Sequence, residues 1–172
     1  MSYVEAVNGK VISRLVNLLS LRVREPGKEL AMARRAEDFP LMISQYGLVP
    51  TLTFFLSKVK DEGSRALDEG FRYFRGDSLR LDADSPLVND AAGGEGKGYA
   101  SYLALVLVWP LGEAMKNVGV ELTGGSQPNQ RGGGLVEELL RHIDDIKAHQ
   151  LELEMASMPG LLELKKILKA LS

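Results

Sequence analysis

Apolar residues recur at spacings of three and four along almost the whole chain, and this periodicity constrains the fold more than any other feature. Such spacing places them on one face of an α-helix, whereas a half-buried strand would alternate apolar and polar residues. No segment alternates convincingly in that way. The pattern is clearest at Val4, Val7, Val11, Leu15 and Leu18, and again at Leu135, Leu139, Ile143, Ile146 and Leu153. The sequence therefore predicts an all-α fold.

Proline disrupts a helix interior and glycine favours a helix C-terminus, so these residues predict the helix boundaries. The predicted first helix covers about residues 3–23, and a second opens near Lys28. Further boundaries are predicted at Pro26-Gly27, at Asp38-Phe39-Pro40, at Gly47 with Pro50, at Gly63-Ser64, at Pro110, and at Ser157 with Pro159. Together they predict a single-domain bundle of about six to seven helices over residues 1–172.

Two long stretches lack a periodic apolar face and are predicted as loops. The first covers about residues 76–98 and is rich in glycine and acidic residues. The second covers about residues 119–134 and contains G-G, Q-P-N and G-G-G. Long loops without secondary structure in a compact domain are usually functional or disordered. Both are predicted as insertions between helices of the bundle.

The 172 residues carry a net charge of −2, which argues against a strongly basic nucleic-acid-binding protein. The charge is unevenly distributed, because residues 1–60 contain nine lysines and arginines but only five acidic residues. This asymmetry allows one face to meet an anionic partner. The alternative interpretation is that these charges cover solvated helix faces, as most lysines and arginines do.

The chain contains no cysteine, which excludes disulfides, thiolate metal sites and a cysteine nucleophile. This composition agrees with a reducing, intracellular setting. The longest apolar run, residues 102–111, is far shorter than the ~20 residues needed to span a bilayer, so no membrane partner is predicted. Because the N-terminus lacks the layout of a signal peptide, a cytoplasmic location is predicted.

The sequence offers no recognisable set of catalytic or metal-ligating residues. His142 and His149 are separated by about 10.5 Å along a helix, so they cannot hold one metal ion from it. Neither follows a glutamate by three residues, as a di-iron bundle requires. The loop G-G-E-G-K-G departs twice from the phosphate-binding pattern, with Ala91 at the first glycine position and Gly98 at the Ser/Thr position. We therefore predict no enzyme activity, no metal and no cofactor.

The most specific pattern in the chain is a helix–glycine–helix corner within residues 39–60. A proline begins a short helix, a Gly-Leu pair forms the corner, and a second helix carries Thr-Leu-x-Phe with a lysine one turn later. The residues are Pro40, Gly47, Leu48, Thr51, Leu52, Phe54 and Lys58. Here the chain resembles the small all-helical subunit of the Cmr complex, the type III-B CRISPR RNA-targeting effector. Pro50 and the two long loops depart from the family pattern.

The resemblance implies a non-catalytic, structural role in antiviral defence. Copies of that subunit stack into a minor filament beside the backbone subunits that carry the guide RNA. They help to hold the guide–target RNA duplex while other subunits cut. The implied partners are therefore other Cmr-type effector subunits, copies of the chain itself, the guide RNA and the target RNA.

The candidate contacts to the RNA backbone are the basic residues of the first part of the chain. They are Arg14, Arg34, Arg35, Lys58 and Lys60. Only Lys58 occupies a position of the family motif, and the others follow from the local density of positive charge. The alternative function is a free-standing helical protein–protein adaptor that does not bind nucleic acid.

Overall fold

The structure, a computed structural model, describes residues 3–21, 29–77, 79–93, 97–124 and 134–172. All regular secondary structure in these residues is helical, which confirms the predicted all-α class. They form ten helices, more than the six or seven predicted. In chain order these are α1 (Tyr3–Ser20), α2 (Ala31–Tyr46), α3 (Leu48–Lys58), α4 (Glu62–Arg75), α5 (Pro86–Ala92), α6 (Tyr99–Val108), α7 (Leu111–Asn117), α8 (Leu135–Arg141), α9 (Ile143–Ala148) and α10 (Gln150–Leu171).

Helix α6 lies at the centre of the bundle. Residues 100–107 are all buried, as expected for a helix that is surrounded on every side. It packs against α2, α3, α4, α5 and α7. An aromatic cluster joins three of these helices, because the ring of Phe39 lies 5.0 Å from that of Phe55 and 5.5 Å from that of Tyr102. The side chains of α1 and α10 complete the same hydrophobic core.

Helix α2 continues through Pro40, so the predicted restart at Asp38-Phe39-Pro40 is wrong. A proline inside a helix removes one backbone hydrogen bond and crowds the carbonyl group four residues earlier. This cost is offset because Phe39, the preceding residue, is fully buried in the aromatic cluster. The predicted break at Pro26-Gly27 and the predicted start near Lys28 lie outside the described residues.

The corner at Gly47 lies where the sequence predicts it. Helix α2 ends at Tyr46, and α3 begins at Leu48. Gly47 has a φ of +91°, a conformation that glycine adopts far more readily than other residues. Its N–H group donates to the carbonyl oxygen of Ile43 at 2.9 Å, which closes the last turn of α2. Pro50 is the third residue of α3, within the first turn, where a missing N–H group is tolerated.

Two side chains of α10 satisfy the free N–H groups at the start of α3. Leu48 donates its N–H to Glu154 Oε1 at 2.8 Å, and Val49 donates its N–H to Gln150 Oε1 at 2.9 Å. The first N–H groups of a helix have no partner within the helix and need such acceptors. The corner is therefore fixed from outside by a helix that lies about 100 residues later in the sequence.

The predicted loop over residues 76–98 contains the helix α5, so this prediction is wrong for residues 86–92. Pro86 is the first residue of α5, the helical position that suits proline best. Leu87 and Ala91 are buried four residues apart, which supplies the apolar face that the glycine-rich and acidic flanks obscured. In the second predicted loop, residues 119–124 are not helical, and residues 125–133 lie outside the described residues.

The long helix predicted from Leu135 onwards is divided into α8, α9 and α10. The breaks occur at His142 and His149, where φ is −96° and −111° and ψ is close to zero. These angles lie in the bridge region between helix and strand geometry, so the regular helix stops at each residue.

Helix α10 passes through Ser157 and Pro159, so the predicted helix start at Ser157 is wrong. The Ser157 hydroxyl is fully buried and donates to the carbonyl oxygen of Leu153 at 2.6 Å. A serine inside a helix often uses this bond to the preceding turn. Glu62 begins α4, which places Gly63-Ser64 inside its first turn instead of before it. The predicted interruption at Pro110 is confirmed, because α6 ends at Val108 and α7 begins at Leu111.

Candidate nucleic-acid interface

Three exposed lysines surround a cleft of roughly 210 Å³ beside the C-terminal end of α3. Lys58 is the last residue of α3, Lys60 follows in the short linker to α4, and Lys97 precedes α6. Pro86 and Asn89 of α5 also line it. Six residues of this surface define the basic cleft: Lys58, Lys60, Lys97, Tyr99, Glu62 and Asp90. Its three ammonium groups outnumber its two carboxylates.

Asp90 is almost fully buried at the floor of the basic cleft and binds the start of α6. Its carboxylate accepts the N–H of Gly98 at 2.9 Å and that of Ser101 at 3.3 Å. Burial raises the pKa of Asp90 above its ordinary value, and the backbone hydrogen bonds and nearby Lys97 oppose that rise. Because the Asp90 carboxylate already occupies this helix N-terminus, the N-terminus is not open to an anion from solvent.

Gly98, the last residue of the first predicted loop, fits tightly against α2. Its φ is +91°, and an added Cβ would lie 2.6 Å from the carbonyl carbon and oxygen of Ala31. Only glycine both adopts this φ readily and avoids a clash with the backbone of Ala31. This close contact fixes the backbone that presents Lys97 and Tyr99 to the cleft.

Arg35 supports the basic cleft from inside the protein. Its side chain is buried, its Nε donates to the carbonyl oxygen of Lys97 at 3.0 Å, and its Nη1 donates to Asp38 at 2.9 Å. Its guanidinium carbon lies 4.0 Å from the centre of the Tyr99 ring. These contacts hold Lys97 and Tyr99 in place and leave the guanidinium group turned away from solvent.

Arg14 and Arg34 do not line the basic cleft. Arg14 Nη1 donates to the carbonyl oxygen of Phe74 at 2.9 Å, while the Tyr73 hydroxyl donates to the carbonyl oxygen of Arg14 at 2.8 Å. This pair of bonds connects α1 to the C-terminal turn of α4. Arg34 is exposed on α2 and lies 3.9 Å from Glu29, an ion pair that solvent weakens. The five predicted contact residues therefore do not form one surface, and only Lys58 and Lys60 lie together.

An aromatic pair lies beside the lysines. The ring of Phe54 on α3 lies 6.1 Å from that of Tyr99 on α6 at an interplanar angle of 71°, an edge-to-face arrangement. Lys58 Nζ lies 5.3 Å from the centre of the Phe54 ring, one helical turn along α3. An exposed aromatic ring thus lies next to the exposed ammonium group of Lys58 at the edge of the cleft.

The sequence interpretation missed Lys97 and Tyr99. Lys97 belongs to the segment predicted as a loop and Tyr99 directly follows it, and their approach to α3 depends on Arg35 and Gly98. The local signal was a lysine followed within two residues by an aromatic residue, at the boundary between the predicted loop and the next helix. Such a pattern is too common to identify a site without the packing around it.

Other kinds of site are not found in the described part of the chain. In those residues, no group of three or more histidine, aspartate and glutamate side chains is arranged to hold a metal ion. His142 and His149 instead lie 3.9 Å and 3.6 Å from Asp145 and Glu152 on the next turn. Over the same residues, every helix is too short or too polar to cross a bilayer.

Comparison with protein-family models, with curated proteins and with solved structures found no match to this chain.

Proposed function

We propose that the chain is a non-catalytic subunit of a type III-B CRISPR (Cmr) effector that binds the RNA backbone through the basic cleft. It serves antiviral defence as part of a minor filament that helps to hold the guide–target RNA duplex. The observation that carries the proposal is the position of Lys58. It is the one candidate contact on the family motif, and it lies in the cleft with Lys60 and Lys97.

The chemistry of the basic cleft suits phosphate groups. Exposed ammonium groups neutralise phosphates and release the counterions condensed on RNA, which gives affinity without reading the base sequence. Arg14 and Arg35 are left out of this contact set because their guanidinium groups are used inside the protein. The set is therefore Lys58, Lys60 and Lys97, with Glu62 opposing it from the first turn of α4.

A cleft with three lysines and two carboxylates binds RNA weakly when it acts alone. The effector arrangement compensates for this, because copies of the chain repeated along a filament bind one RNA with a higher effective concentration. The partners are then other Cmr-type subunits, further copies of the chain, guide RNA and target RNA. No base-reading motif is needed, since a guided effector recognises sequence through pairing with its guide.

The test is the affinity of the assembled effector for target RNA with Lys58→Ala in this subunit. We expect affinity to fall by the same factor for unrelated target sequences, and the salt dependence to become shallower by about 0.7–0.9 in log–log slope per lost contact. Glu62→Gln should act in the opposite direction, because it removes a negative charge from the cleft. Lys166→Ala, an exposed lysine on α10, is the matched control. Unchanged affinity and slope with Lys58→Ala would contradict the proposal.

A second candidate function is the free-standing protein–protein adaptor, and α10 provides the observation that favours it. Leu151, Met155 and Leu162 are 69%, 71% and 44% exposed, and their spacing places them on one side of this helix. An exposed apolar stripe of this kind often contacts another protein. Co-purification with a guide RNA favours the effector subunit, and purification without RNA favours the adaptor. Adjacent CRISPR effector genes favour the first function, and their absence favours the second.

A further inference from the structure

Phe54 presents an aromatic ring to solvent beside the basic cleft. Its side chain is 39% exposed, whereas the neighbouring Phe55 is fully buried. In the part of the chain whose side chains are described, Phe54 and Tyr46 are the exposed aromatic residues. The position of Phe54 next to Lys58 sets it apart from Tyr46, because an exposed ring beside a cation offers a ligand both an apolar face and a positive charge.

The Phe54 ring packs edge-to-face against two aromatic neighbours, which restrict its motion. Tyr99 and Phe55 each lie 6.1 Å from it, with interplanar angles of 71° and 65°. Tyr99 is fixed in turn by the buried guanidinium group of Arg35. A ring that is already ordered loses little conformational entropy when a flat ligand stacks on it.

Lys58 connects this ring to the phosphate contacts. Its exposed ammonium group lies over the Phe54 ring, 5.3 Å from the ring centre. A cation in contact with water is only weakly held there and can move to a phosphate group when RNA arrives. That movement uncovers the ring face, which a nucleobase then covers. Lys58 thus links the binding of a phosphate group to the exposure of the Phe54 ring face.

We propose that Phe54 is a stacking platform for an unpaired nucleobase of the RNA held in the cleft, with Lys58 and Lys60 on the neighbouring phosphates. Stacking on an aromatic side chain is tolerant of base identity because every base has a π-face. The inference rests on the proposed function for its ligand, and it adds that the RNA segment in the cleft carries at least one unpaired base. A fully paired duplex keeps its bases stacked inside and offers the cleft only phosphate groups.

The experiment measures binding of the full-length chain to a short oligouridine and to an RNA duplex of the same length, at one low salt concentration. Phe54→Leu should weaken binding to the oligouridine roughly fivefold or more and leave duplex binding unchanged. Tyr46→Leu removes the other exposed aromatic ring, which precedes the opposite end of α3, and should change neither affinity. Phe54→Trp should retain affinity for the oligouridine, and its indole fluorescence should be quenched when a base stacks on it.

Each outcome has a defined meaning. If Phe54→Leu weakens both RNAs equally, or neither, and the Phe54→Trp fluorescence does not respond, the stacking inference is wrong. Lys58→Ala in the same assay separates this failure from failure of the proposed function. A loss of affinity with Lys58→Ala alone keeps the phosphate-binding cleft and rejects only the stacking. If the unsubstituted chain binds neither RNA at low salt and at a protein concentration high enough to detect the weak binding expected of a single copy, both proposals are contradicted.

Discussion

Gly47 occupies a backbone conformation that penalises any side chain. Its φ is +91°, and an added Cβ would meet Gln150 Nε2 at 3.4 Å and Glu154 Oε1 at 3.5 Å. The space is adequate, so the cost comes from the backbone angle. Gly47→Ala is therefore expected to lower the free energy of unfolding by about 1–2 kcal/mol. A urea titration followed by circular dichroism measures this change.

Gly9→Ala is the matched control for the Gly47 prediction. Gly9 lies inside α1, and nothing lies within 4 Å of a Cβ added there. Alanine in an exposed helix interior should raise the free energy of unfolding by about 0.5–1 kcal/mol. If both substitutions change stability in the same direction, the backbone explanation for Gly47 is wrong.

The candidate site shows how far single residues can be interpreted from sequence. Lys58 and Lys60 are exposed as predicted, because the end of a short helix and the linker after it have few neighbours. Arg35 has the same charge but is buried by Asp38 and the Tyr99 ring. Asp38 lies only three residues from Arg35 in the sequence, but the Lys97 carbonyl group and the Tyr99 ring that complete the burial of Arg35 belong to a distant segment. Whether a basic side chain faces water depends on partners supplied by distant segments, which the sequence does not place.

At the scale of helices, Asp90 is the side chain through which α5 holds the start of α6. Burial is the largest influence on its carboxyl group and raises its pKa above the ordinary value of 3.8. The folded protein therefore binds this proton more tightly than the unfolded chain does. As pH rises from about 4 through the raised pKa, the contribution of Asp90 to the free energy of unfolding must fall.

Asp90→Asn removes this titration and provides the measurement. The difference in the free energy of unfolding between the unsubstituted protein and Asp90→Asn should shrink as pH rises from about 4 towards neutrality. Asp77 is a control for which stability should depend on pH in the opposite direction, because its side-chain hydrogen bond to Arg75 lowers its pKa. For Asp77→Asn the difference should shrink as pH falls below about 4. A difference for Asp90→Asn that widens with rising pH would mean that the N–H bonds outweigh burial.

The sequence predicts a helix boundary correctly where the backbone conformation of a single residue is enough to end or interrupt the helix. Gly47 and Pro110 end or interrupt helices without help from distant partners, and both predictions are confirmed. Pro40 and Pro159 lie inside helices because tertiary packing outweighs their local cost. The sequence did not predict α5 because its formation also depends on tertiary packing. It packs closely against α4, where an added Cβ on Gly70 would lie 2.8 Å from Leu87 Cδ1 of α5 and 2.7 Å from the Cβ of Ala104.

For the molecule as a whole, α10 connects the two ends of α2. Near its start, Gln150 and Glu154 bind the N–H groups that follow the Gly47 corner. Just after its end, the Ser172 hydroxyl accepts the N–H of Leu30 at 3.0 Å, directly before α2 begins. Between these points α10 packs along α2 and also contacts α3 and α7. We therefore expect the stability of the corner at Gly47 to depend on the docking of α10.

Leu164 tests this dependence because it is fully buried on α10, far along the chain from Gly47. Leu164→Ala leaves a cavity in the α10 interface and should lower the free energy of unfolding by about 2–5 kcal/mol. Because α10 holds both ends of α2, the loss should appear in one cooperative transition, with amide protons of α2 and α3 losing protection together in hydrogen exchange. Leu162→Ala, two residues away and 44% exposed, should change stability by less than about 1 kcal/mol. Retained protection of α3 while α10 exchanges freely would show that the corner forms without α10.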